Sequence, residues 1–328
     1  MKRYLLIRLS AIGDIVLATA AIEAISKAEP DSQIDLVCKA RFAELLKGNP
    51  HIKNIYSFDE QGRHKGLRGL LLFIHELSAK KYSFIIDLQN NPRSRMIALC
   101  LNGGKKIHWH KDTWRRRMLV WGQDKGKTYK TVIQRYLEAV AKTGINYPEA
   151  KPKLYSVSDE TIKLPLNGFI AIAPGAHWPT KRWTGFAELI TKIGNGKLEI
   201  VVVGDKNDRS ASEEIIKTSG ANATNLCGLL DLSQLSYALS RAKLLVTNDT
   251  GAMHIAEAAG TPVAAIFGPT VKQFGFAPWR KESSVVEVDL DCRPCALHGS
   301  QSCPRGHFKC MKLISAEQVL VEIEKHLE

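Results

Sequence analysis

Short apolar runs of the kind that form buried strands alternate along this chain with stretches of helical periodicity. The first run spans residues 4–9 and is followed by a short loop and a predicted helix at 15–28. Further strands are predicted at 34–37, 84–88, 169–173, 199–203, 244–247 and 263–267, and further helices at 67–77, 131–142, 186–193, 210–219, 232–239, 252–259 and 315–327. Strands separated by helices predict βαβ units and a mostly parallel sheet.

The chain divides into two predicted domains. Its 328 residues exceed the length, roughly 250–300 residues, at which a single hydrophobic core stops growing. Pro148, Pro152 and Pro165 interrupt the alternation within a polar stretch and indicate a linker. We therefore expect residues 1–155 and 156–328 to form two doubly wound α/β domains that face each other across a cleft. In such sheets, ligands bind at the carboxyl ends of the strands.

The basic charge of the chain is concentrated in its first half. Lys and Arg number 46 against 33 Asp and Glu, which gives a formal net charge of +13. Residues 1–150 carry 26 basic and 14 acidic side chains, a net of +12, whereas residues 151–328 carry 20 and 19, a net of +1. A basic surface attracts nucleic acid, anionic lipid or phosphorylated small molecules. We expect the polyanionic partner to bind the first domain.

The distribution of apolar residues predicts a cytoplasmic protein. No stretch approaches the roughly 18–20 uninterrupted apolar residues that a membrane span needs. The early apolar run 15–22 is short and lies between Asp14 and Glu23, which is unlike a signal peptide. In a reducing compartment, the seven cysteines should be thiols or metal ligands rather than disulfides.

Asp14 is the first candidate for chemistry. It ends the sequence SAIGD at 10–14, directly after the first predicted strand. A carboxylate on such a strand-to-helix loop faces the ligand crevice, where a general base would lie. Asp14 could instead only cap the following helix, because Asp is common near helix N-termini, and spacing alone favours that role.

A second candidate site lies in the sequence TNDTGAMH at 247–254, which again follows a strand and opens a helix. The backbone N–H groups of Thr250, Gly251 and Ala252 would lie at the positive end of the helix, which suits a diphosphate. Asp249 could accept hydrogen bonds from the hydroxyls of a sugar. His254, one turn into the helix, either faces the anion or packs in the core.

The loop PGAHWPTKRW at 174–183 follows the first strand of the second domain. Its glycine, prolines and paired cations are typical of a loop that binds an anion. Lys181 would then act as a point charge on a phosphate. The alternative is that Lys181 and Arg182 are simply two solvated cations.

Four of the seven cysteines, Cys292, Cys295, Cys303 and Cys310, fall within nineteen residues. The first pair has the spacing of a metal knuckle, and the second pair is spaced more widely than usual. Four thiolates in one loop suggest a structural zinc or iron site. The alternative is four reduced cysteines in a loop without metal.

Taken together, the segments IRLSAIGD at 7–14, PGAHWPTKRW at 174–183 and NDTGAMH at 248–254, followed by AGTP at 259–262 and FGPT at 267–270, resemble the ADP-heptose:lipopolysaccharide heptosyltransferase family, glycosyltransferase family 9. Their order and spacing fit over nearly the whole chain. The resemblance implies a GT-B fold. The first Rossmann-like domain would hold the acceptor, and the second would hold the nucleotide sugar.

The resemblance also implies roles for the matching residues. Asp14 would be the general base that deprotonates the acceptor hydroxyl, and in this context that role becomes the favoured one. Lys181 would neutralise the ADP phosphates, and Asp249 would hold heptose hydroxyls. The amides of Thr250 and Gly251 would bind the diphosphate, and His254 would lie nearby.

For the ribose, relatives place an acidic residue after the strand that ends at 203–204. This chain offers Asp205 and Asp208 at that place, and the sequence does not decide between them.

The implied reaction is an inverting transfer of heptose from ADP-heptose to a hydroxyl of the lipopolysaccharide inner core, either Kdo or heptose, without a catalytic metal. The protein would work at the cytoplasmic face of the inner membrane, associated peripherally with its surface. Because this acceptor is anionic, the basic first domain is expected to bind it. The candidate contacts are Arg63, Lys65, Arg115, Arg116 and Arg117.

The sequence bears on two alternative functions. A protein O-heptosyltransferase, acting on an adhesin-type protein with the same donor, is the main alternative, and the cysteine-rich segment keeps it open. Nucleic-acid binding is disfavoured, because the basic segment 93–135 contains no recognised binding module. Its three tryptophans, Trp109, Trp114 and Trp121, do not by themselves form a stacking platform.

Overall fold

The contacts of the computed structural model, which describes residues 1–123, 129–194 and 198–326, divide the chain into two compact units. The first unit consists of Met1–Lys111 and Lys130–Tyr155, and the second consists of Asp112–Tyr129 and Ser156–Glu328. The sequence analysis assigned residues 112–129 to the first domain, whereas these contacts group them with the second unit.

The first unit contains one parallel sheet of five strands in the order β3-β2-β1-β4-β5. The strands are β1 (Arg3–Ile7), β2 (Gln33–Lys39), β3 (Ile52–Phe58), β4 (Phe84–Asp87) and β5 (Lys105–His108). The helices in this part of the chain are α1 (Ile12–Ala28), α2 (Gly66–Ser78), α3 (Pro92–Cys100), α4 (Thr113–Val120) and α5 (Val132–Ala141), with α4 grouped in the second unit. β1 is central because its apolar residues are covered on both faces, as parallel strands require.

The second unit contains a parallel sheet of six strands in the order β11-β10-β9-β6-β7-β8. The strands are β6 (Phe169–Ala173), β7 (Glu199–Val202), β8 (Thr224–Asn225), β9 (Leu244–Asn248), β10 (Val263–Ile266) and β11 (Ser284–Val286). The helices are α6 (Phe186–Gly194), α7 (Arg209–Ser219), α8 (Leu232–Arg241), α9 (Gly251–Ala259), α10 (Lys309–Lys312) and α11 (Ala316–Lys325). The core of this unit packs α6 and α11 against the central strands.

In both sheets the strand order reverses beside the first strand of the unit. The reversal lies between β1 and β4 in the first sheet and between β6 and β9 in the second. Open α/β sheets bind ligands at this point, outside the carboxyl ends of the strands. The loops at 8–14, 174–183 and 248–251 all leave strands at these two positions, so the sequence motifs lie where the fold favours a site.

The predicted strands and helices are present, with ends shifted by a few residues. Leu327, predicted as the last residue of the C-terminal helix, lies outside the described residues. No element was predicted at β3, β5, β8, α3, α4 or α10, because these elements are short or partly exposed and so give little hydrophobic pattern. The prediction of a mixed α/β fold with parallel sheets is confirmed.

Gly104, in the turn that leads into β5, lies close to the backbone of Tyr82, and a substitution can test this contact. Its φ is +72°, and a Cβ built on it would lie 2.7 Å from the Tyr82 carbonyl oxygen. Gly104→Ala would combine backbone strain with that overlap, so we expect it to lower the free energy of unfolding by about 1–3 kcal/mol in urea denaturation.

Gly103→Ala is the matched control, since its φ is +79° but its nearest neighbour would lie 3.8 Å away. It should cost clearly less than Gly104→Ala. Equal losses would mean that the approach to Tyr82 does not constrain the turn.

Candidate functional site

Asp14 lies in the first turn of α1 and forms an ion pair with Arg8, whose Nη2 is 2.7 Å from the Asp14 Oδ1. The Tyr136 hydroxyl donates to the same oxygen at 3.4 Å. Within the residues that the structure describes, Oδ2 accepts one long bond, 3.4 Å, from the Ala11 amide. The capping contact is therefore weak, and Arg8 is the main partner of the carboxylate, whose side chain is 19% exposed.

Arg8 is itself held in place by aromatic rings and by the loop after β4. Its guanidinium lies 5.8 Å from the ring centres of both Trp109 and Tyr136, within the range of cation–π contact. Its Nη1 donates to the Leu88 carbonyl, and the Gln89 side chain accepts from the Ser10 amide. The carboxyl end of β4 thus supports the loop that carries Asp14, and the sequence analysis gave Arg8 no role.

The predicted acceptor residues of the first unit lie in the segment between β3 and α2. Arg63 is exposed and pairs with Glu76 at 2.6 Å, and Lys65 is the exposed residue before α2. At the neighbouring end of β2, Glu60 bridges Lys39 and Arg93. These cations lie along the carboxyl edge of the sheet, and Lys39 and Arg93 were not singled out by the sequence analysis.

The other three predicted acceptor residues, Arg115, Arg116 and Arg117, lie on α4 in the second unit. Arg115 lies near Asp112 and over the Tyr129 ring, and Arg116 is partly buried. The structure therefore assigns the five candidates to two different units. All five had been expected to belong to the basic first domain.

In the second unit, Lys181 and Asp249 form a short ion pair. The Lys181 Nζ lies 2.6 Å from Asp249 Oδ2 and 3.0 Å from the Asp249 carbonyl oxygen. The Thr270 hydroxyl also donates to Oδ2, at 2.6 Å. Burial alone would raise the pKa of Asp249, but the charge and hydrogen bonds of Lys181 and the Thr270 hydroxyl outweigh it and lower the pKa below its usual value. The carboxylate is therefore ionised at neutral pH.

The buried side chain of Asn248 attaches the loop 174–183 to the end of β9. Its amide nitrogen donates to the Pro174 carbonyl at 2.8 Å, and its oxygen accepts from the Trp183 amide at 3.1 Å. These bonds reach both ends of the loop that carries Lys181. Asn248 thus positions the cation beside Asp249, a role that the sequence did not reveal.

The first turn of α9 presents backbone N–H groups at the carboxyl end of β9. Thr250 is the residue before the helix, and among the described residues its side chain makes no capping bond to the following amides. The predicted role of the Thr250 and Gly251 amides is compatible with this geometry, because the first N–H groups of a helix have no partner within it. His254 is buried and stacks on Trp279, with ring centres 6.0 Å apart.

The two carboxylates offered for the ribose stabilise the same turn after β7. Asp205 Oδ1 accepts from the Asn207 and Asp208 amides, and Asp208 Oδ2 accepts from the Asp205 amide. Asp205 is exposed, whereas Asp208 is turned inward beside Gly175. A Cβ built on Gly175 would lie 2.2 Å from the Asp208 carboxylate. Burial raises the pKa of Asp208.

The four cysteines of the segment 292–310 lie near one another as free thiols. Burial, together with charge on Cys295, Cys303 and Cys292, raises the pKa of Cys310 to about 11, although the nearby Arg293 opposes this shift. In the three described ranges, no group of three or more His, Cys, Asp or Glu side chains is arranged to hold a metal ion. The structural zinc or iron site therefore stays a prediction, and no chemical step is assigned to it.

Arg293, within the cysteine-rich segment, is buried and donates to several backbone carbonyls. Its guanidinium binds the carbonyls of Gly268, Phe267 and Thr270 and the carboxylate of Glu287. The same Thr270 holds Asp249 through its hydroxyl. The segment 292–310 thus supports the loop after β10 through one arginine, whether or not a metal is bound.

A sequence profile of glycosyltransferase family 9 (heptosyltransferase) matches residues 70–303. The lipooligosaccharide heptosyltransferase 2 of Campylobacter jejuni is 31% identical over 163 residues, which are 48% of this chain and 50% of that protein. The chain therefore matches about half the length of this relative. The lipopolysaccharide heptosyltransferase 2 of Salmonella typhimurium is 26% identical over 305 residues, covering 83% of this chain and 84% of that protein.

Solved structures are similar over nearly the whole chain. The glycosyl transferase family 9 protein of Veillonella parvula superposes with a TM-score of 0.84 at 22% identity, covering 99% of this chain and 97% of that one. The ADP-heptose lipopolysaccharide heptosyltransferase II of E. coli gives a TM-score of 0.76 at 23% identity, with coverage of 100% and 98%.

The two parallel sheets and the residues at their carboxyl ends define a glycosyltransferase fold of the GT-B class. The chain belongs to glycosyltransferase family 9, the heptosyltransferases, because the family profile covers more than half of it. Among the described residues, no helix is long and apolar enough to cross a membrane.

Glu257, on the same helix as His254, allows a test of the packing around α9 by pH. Its buried carboxylate accepts from the amides of Trp279 and Arg280, and burial raises its pKa to about 7. Because the folded state holds the proton more tightly than the unfolded state, this group stabilises the protein at acidic pH. That contribution is lost as the pH rises from about 4.5 through 7.

We expect Glu257→Gln to remove this pH dependence. Between pH 5 and 8, the variant should lose less unfolding free energy than the wild type, by up to about 3 kcal/mol. Urea denaturation at several pH values measures the difference, and Glu188→Gln, an exposed position on α6, is the control. Parallel pH curves for wild type and Glu257→Gln would show that Glu257 does not titrate in this range.

Proposed function

We propose that this protein transfers heptose from ADP-heptose to a hydroxyl of the lipopolysaccharide inner core, with inversion and without a catalytic metal. The observation that carries the proposal is the Lys181–Asp249 pair beside the first turn of α9. It combines a cation, a carboxylate and helix N–H groups at the carboxyl end of one parallel strand. A nucleotide sugar presents the matching groups, a diphosphate and sugar hydroxyls.

The hydrogen bonds of this pair leave specific atoms for the donor. The ammonium group of Lys181 has three N–H donors. Two of them bond to Asp249, so one is left for a phosphate oxygen. Asp249 Oδ2 accepts from Lys181 and Thr270, while Oδ1 has no hydrogen-bond partner in the described part of the chain. We assign Oδ1 to the heptose hydroxyls and the Gly251 amide to the diphosphate.

For the ribose we propose Asp205 rather than Asp208. Asp205 is exposed, and only its Oδ1 is engaged by the two amides of the turn. Asp208 is turned inward against Gly175 and has a raised pKa, which favours a structural role.

In the proposed reaction, Asp14 accepts the proton of the acceptor hydroxyl as that oxygen attacks the anomeric carbon of the heptose. Asp14 Oδ2 is the oxygen in position to do this, because Oδ1 is held by Arg8 and Tyr136. The bond from the anomeric carbon to the β-phosphate oxygen breaks, and negative charge develops on ADP. Lys181 and the α9 N–H groups stabilise this negative charge. A metal ion has the same role in other transferases.

Asp14→Asn tests the assignment of the base. The variant keeps the shape of the side chain but cannot accept the proton, so we expect kcat to fall by about 10²–10⁴-fold. ADP affinity should stay within about twofold, because Asp14 belongs to the first unit, whereas Lys181 and Gly251, which are proposed to bind the diphosphate, belong to the second. Release of ADP from ADP-heptose, with calorimetry for ADP binding, measures both quantities.

The control is Asp31→Asn, at an exposed position beyond the end of α1, which should leave turnover unchanged. Full activity of Asp14→Asn would refute the base. The wild-type assay uses Kdo-lipid A, heptosylated core and an adhesin-type protein as acceptors. Transfer only to the protein would replace the lipopolysaccharide acceptor with the protein alternative.

The structural metal is proposed for the four thiols Cys292, Cys295, Cys303 and Cys310. We expect purified protein to carry about one equivalent of zinc or iron by elemental analysis, and Cys303→Ser to lose it together with thermal stability. Cys38→Ser, at a buried cysteine of the first unit, should keep the metal. Metal-free wild-type protein with unchanged stability would refute this site.

A further inference from the structure

Helix α2 is apolar on two faces. One face packs into the core of the first unit, through Leu70, Phe73, Ile74 and Leu77. The other face carries Leu67, Leu71 and Leu72, which are 65%, 48% and 40% exposed. A helix at the surface of a globular unit normally places polar residues on its outer face. In α2 the side away from the core carries Arg68, His75 and Glu76, but also these three leucines.

Leu67 and Leu71 are one helical turn apart and form an exposed apolar strip on one side of α2. Leu72 lies about 100° further round the helix, beyond Arg68 and His75. Single exposed apolar residues are ordinary, but an exposed apolar strip bounded by polar residues marks an interaction surface.

Basic residues flank this strip at both ends of the helix. Lys65 and Arg68 lie at its start, and Lys80 and Lys81 follow its end, all of them exposed. Within the ranges that the structure describes, none of these four side chains forms an ion pair. The one acidic residue of the helix, Glu76, is occupied by Arg63. The outer side of α2 is thus a leucine strip with unneutralised positive charge at both ends.

We propose that this outer face of α2 docks on an anionic lipid bilayer. The three leucines would enter the boundary between headgroups and acyl chains, and the four flanking cations would contact phosphate groups, as interfacial amphipathic helices do. The positive charge favours an anionic bilayer over a second copy of this chain, since two copies would bring like charges together.

The position of α2 connects this surface with the acceptor. Residues 59–65 lead into α2 from the carboxyl end of β3. The loop from β1 to the helix that carries Asp14 begins at the same edge of the sheet. A lipid-anchored acceptor in the docked bilayer would present its sugars at this edge. This link rests on the proposed function, whereas the binding of lipid by α2 does not.

The test is co-sedimentation with vesicles of phosphatidylcholine containing phosphatidylglycerol. We expect wild-type protein to bind these vesicles and to bind pure phosphatidylcholine at least about tenfold more weakly. Leu67→Ser/Leu71→Ser should reduce the partition coefficient on the anionic vesicles about tenfold or more. Because both leucines are exposed, the fold is not expected to change, and circular dichroism with a thermal melt verifies this.

The matched control is Leu99→Ser/Leu166→Ser, at two leucines that are 61% and 96% exposed elsewhere on the chain. It should bind vesicles as the wild type does. Lys80→Glu/Lys81→Glu, which lies away from the predicted acceptor contacts, should weaken binding to anionic vesicles while leaving transfer to a delipidated, water-soluble core acceptor within about twofold.

Unchanged vesicle binding by Leu67→Ser/Leu71→Ser would overturn the proposal. So would a wild-type dimer in light scattering that this variant converts to monomer without any effect on vesicles, because the strip would then be an interface between copies. Failure of the wild type to transfer heptose to any lipopolysaccharide acceptor would overturn the proposed function instead. The vesicle result would stand independently.

Discussion

The ion pair between Lys181 and Asp249 is the interaction on which the loops at the carboxyl edge of the second sheet depend. It joins the loop after β6 to the end of β9, and Thr270 adds the loop after β10 to the same carboxylate. A buried carboxylate without a cation would be protonated or would destabilise the fold. The pair therefore holds three loops together and keeps a cation and a carboxylate in a fixed arrangement at the carboxyl end of β9.

The same use of buried polar groups recurs in both units. Asn248 binds a backbone carbonyl of the loop that carries Lys181, and Arg293 binds the carbonyl of Thr270, whose hydroxyl holds Asp249. In the first unit, Arg8 does this for Asp14 and is itself enclosed by Trp109 and Tyr136. Each of these buried side chains fixes a segment at the carboxyl edge of its sheet, including the first turn of α1 that carries Asp14.

The basic charge of the first half acquires a more specific meaning from the structure. Part of it is internally paired, as in the bridges of Glu60 with Lys39 and Arg93. Another part flanks the exposed leucines of α2, and three arginines of the basic segment belong to the second unit. Net charge alone therefore identifies an anionic partner, but the distribution over elements is needed to say which surface meets a lipid and which meets a sugar.

The sequence by itself determined the alternation of strands and helices, the family resemblance, and the positions of Asp14, Lys181 and Asp249 after strands. These features are local, because they depend on periodicity and on the order of residues in one segment. Only the tertiary structure decided that Arg8 pairs with Asp14, that Asn248 and Arg293 hold the loops after β6 and β10, and that α4 groups with the second unit. Such contacts join residues far apart in the chain, and nothing in the pattern of a single segment encodes its distant partner. The outer face of α2 shows the same limit, since helical periodicity identifies a helix but not which of its apolar residues the rest of the fold leaves uncovered.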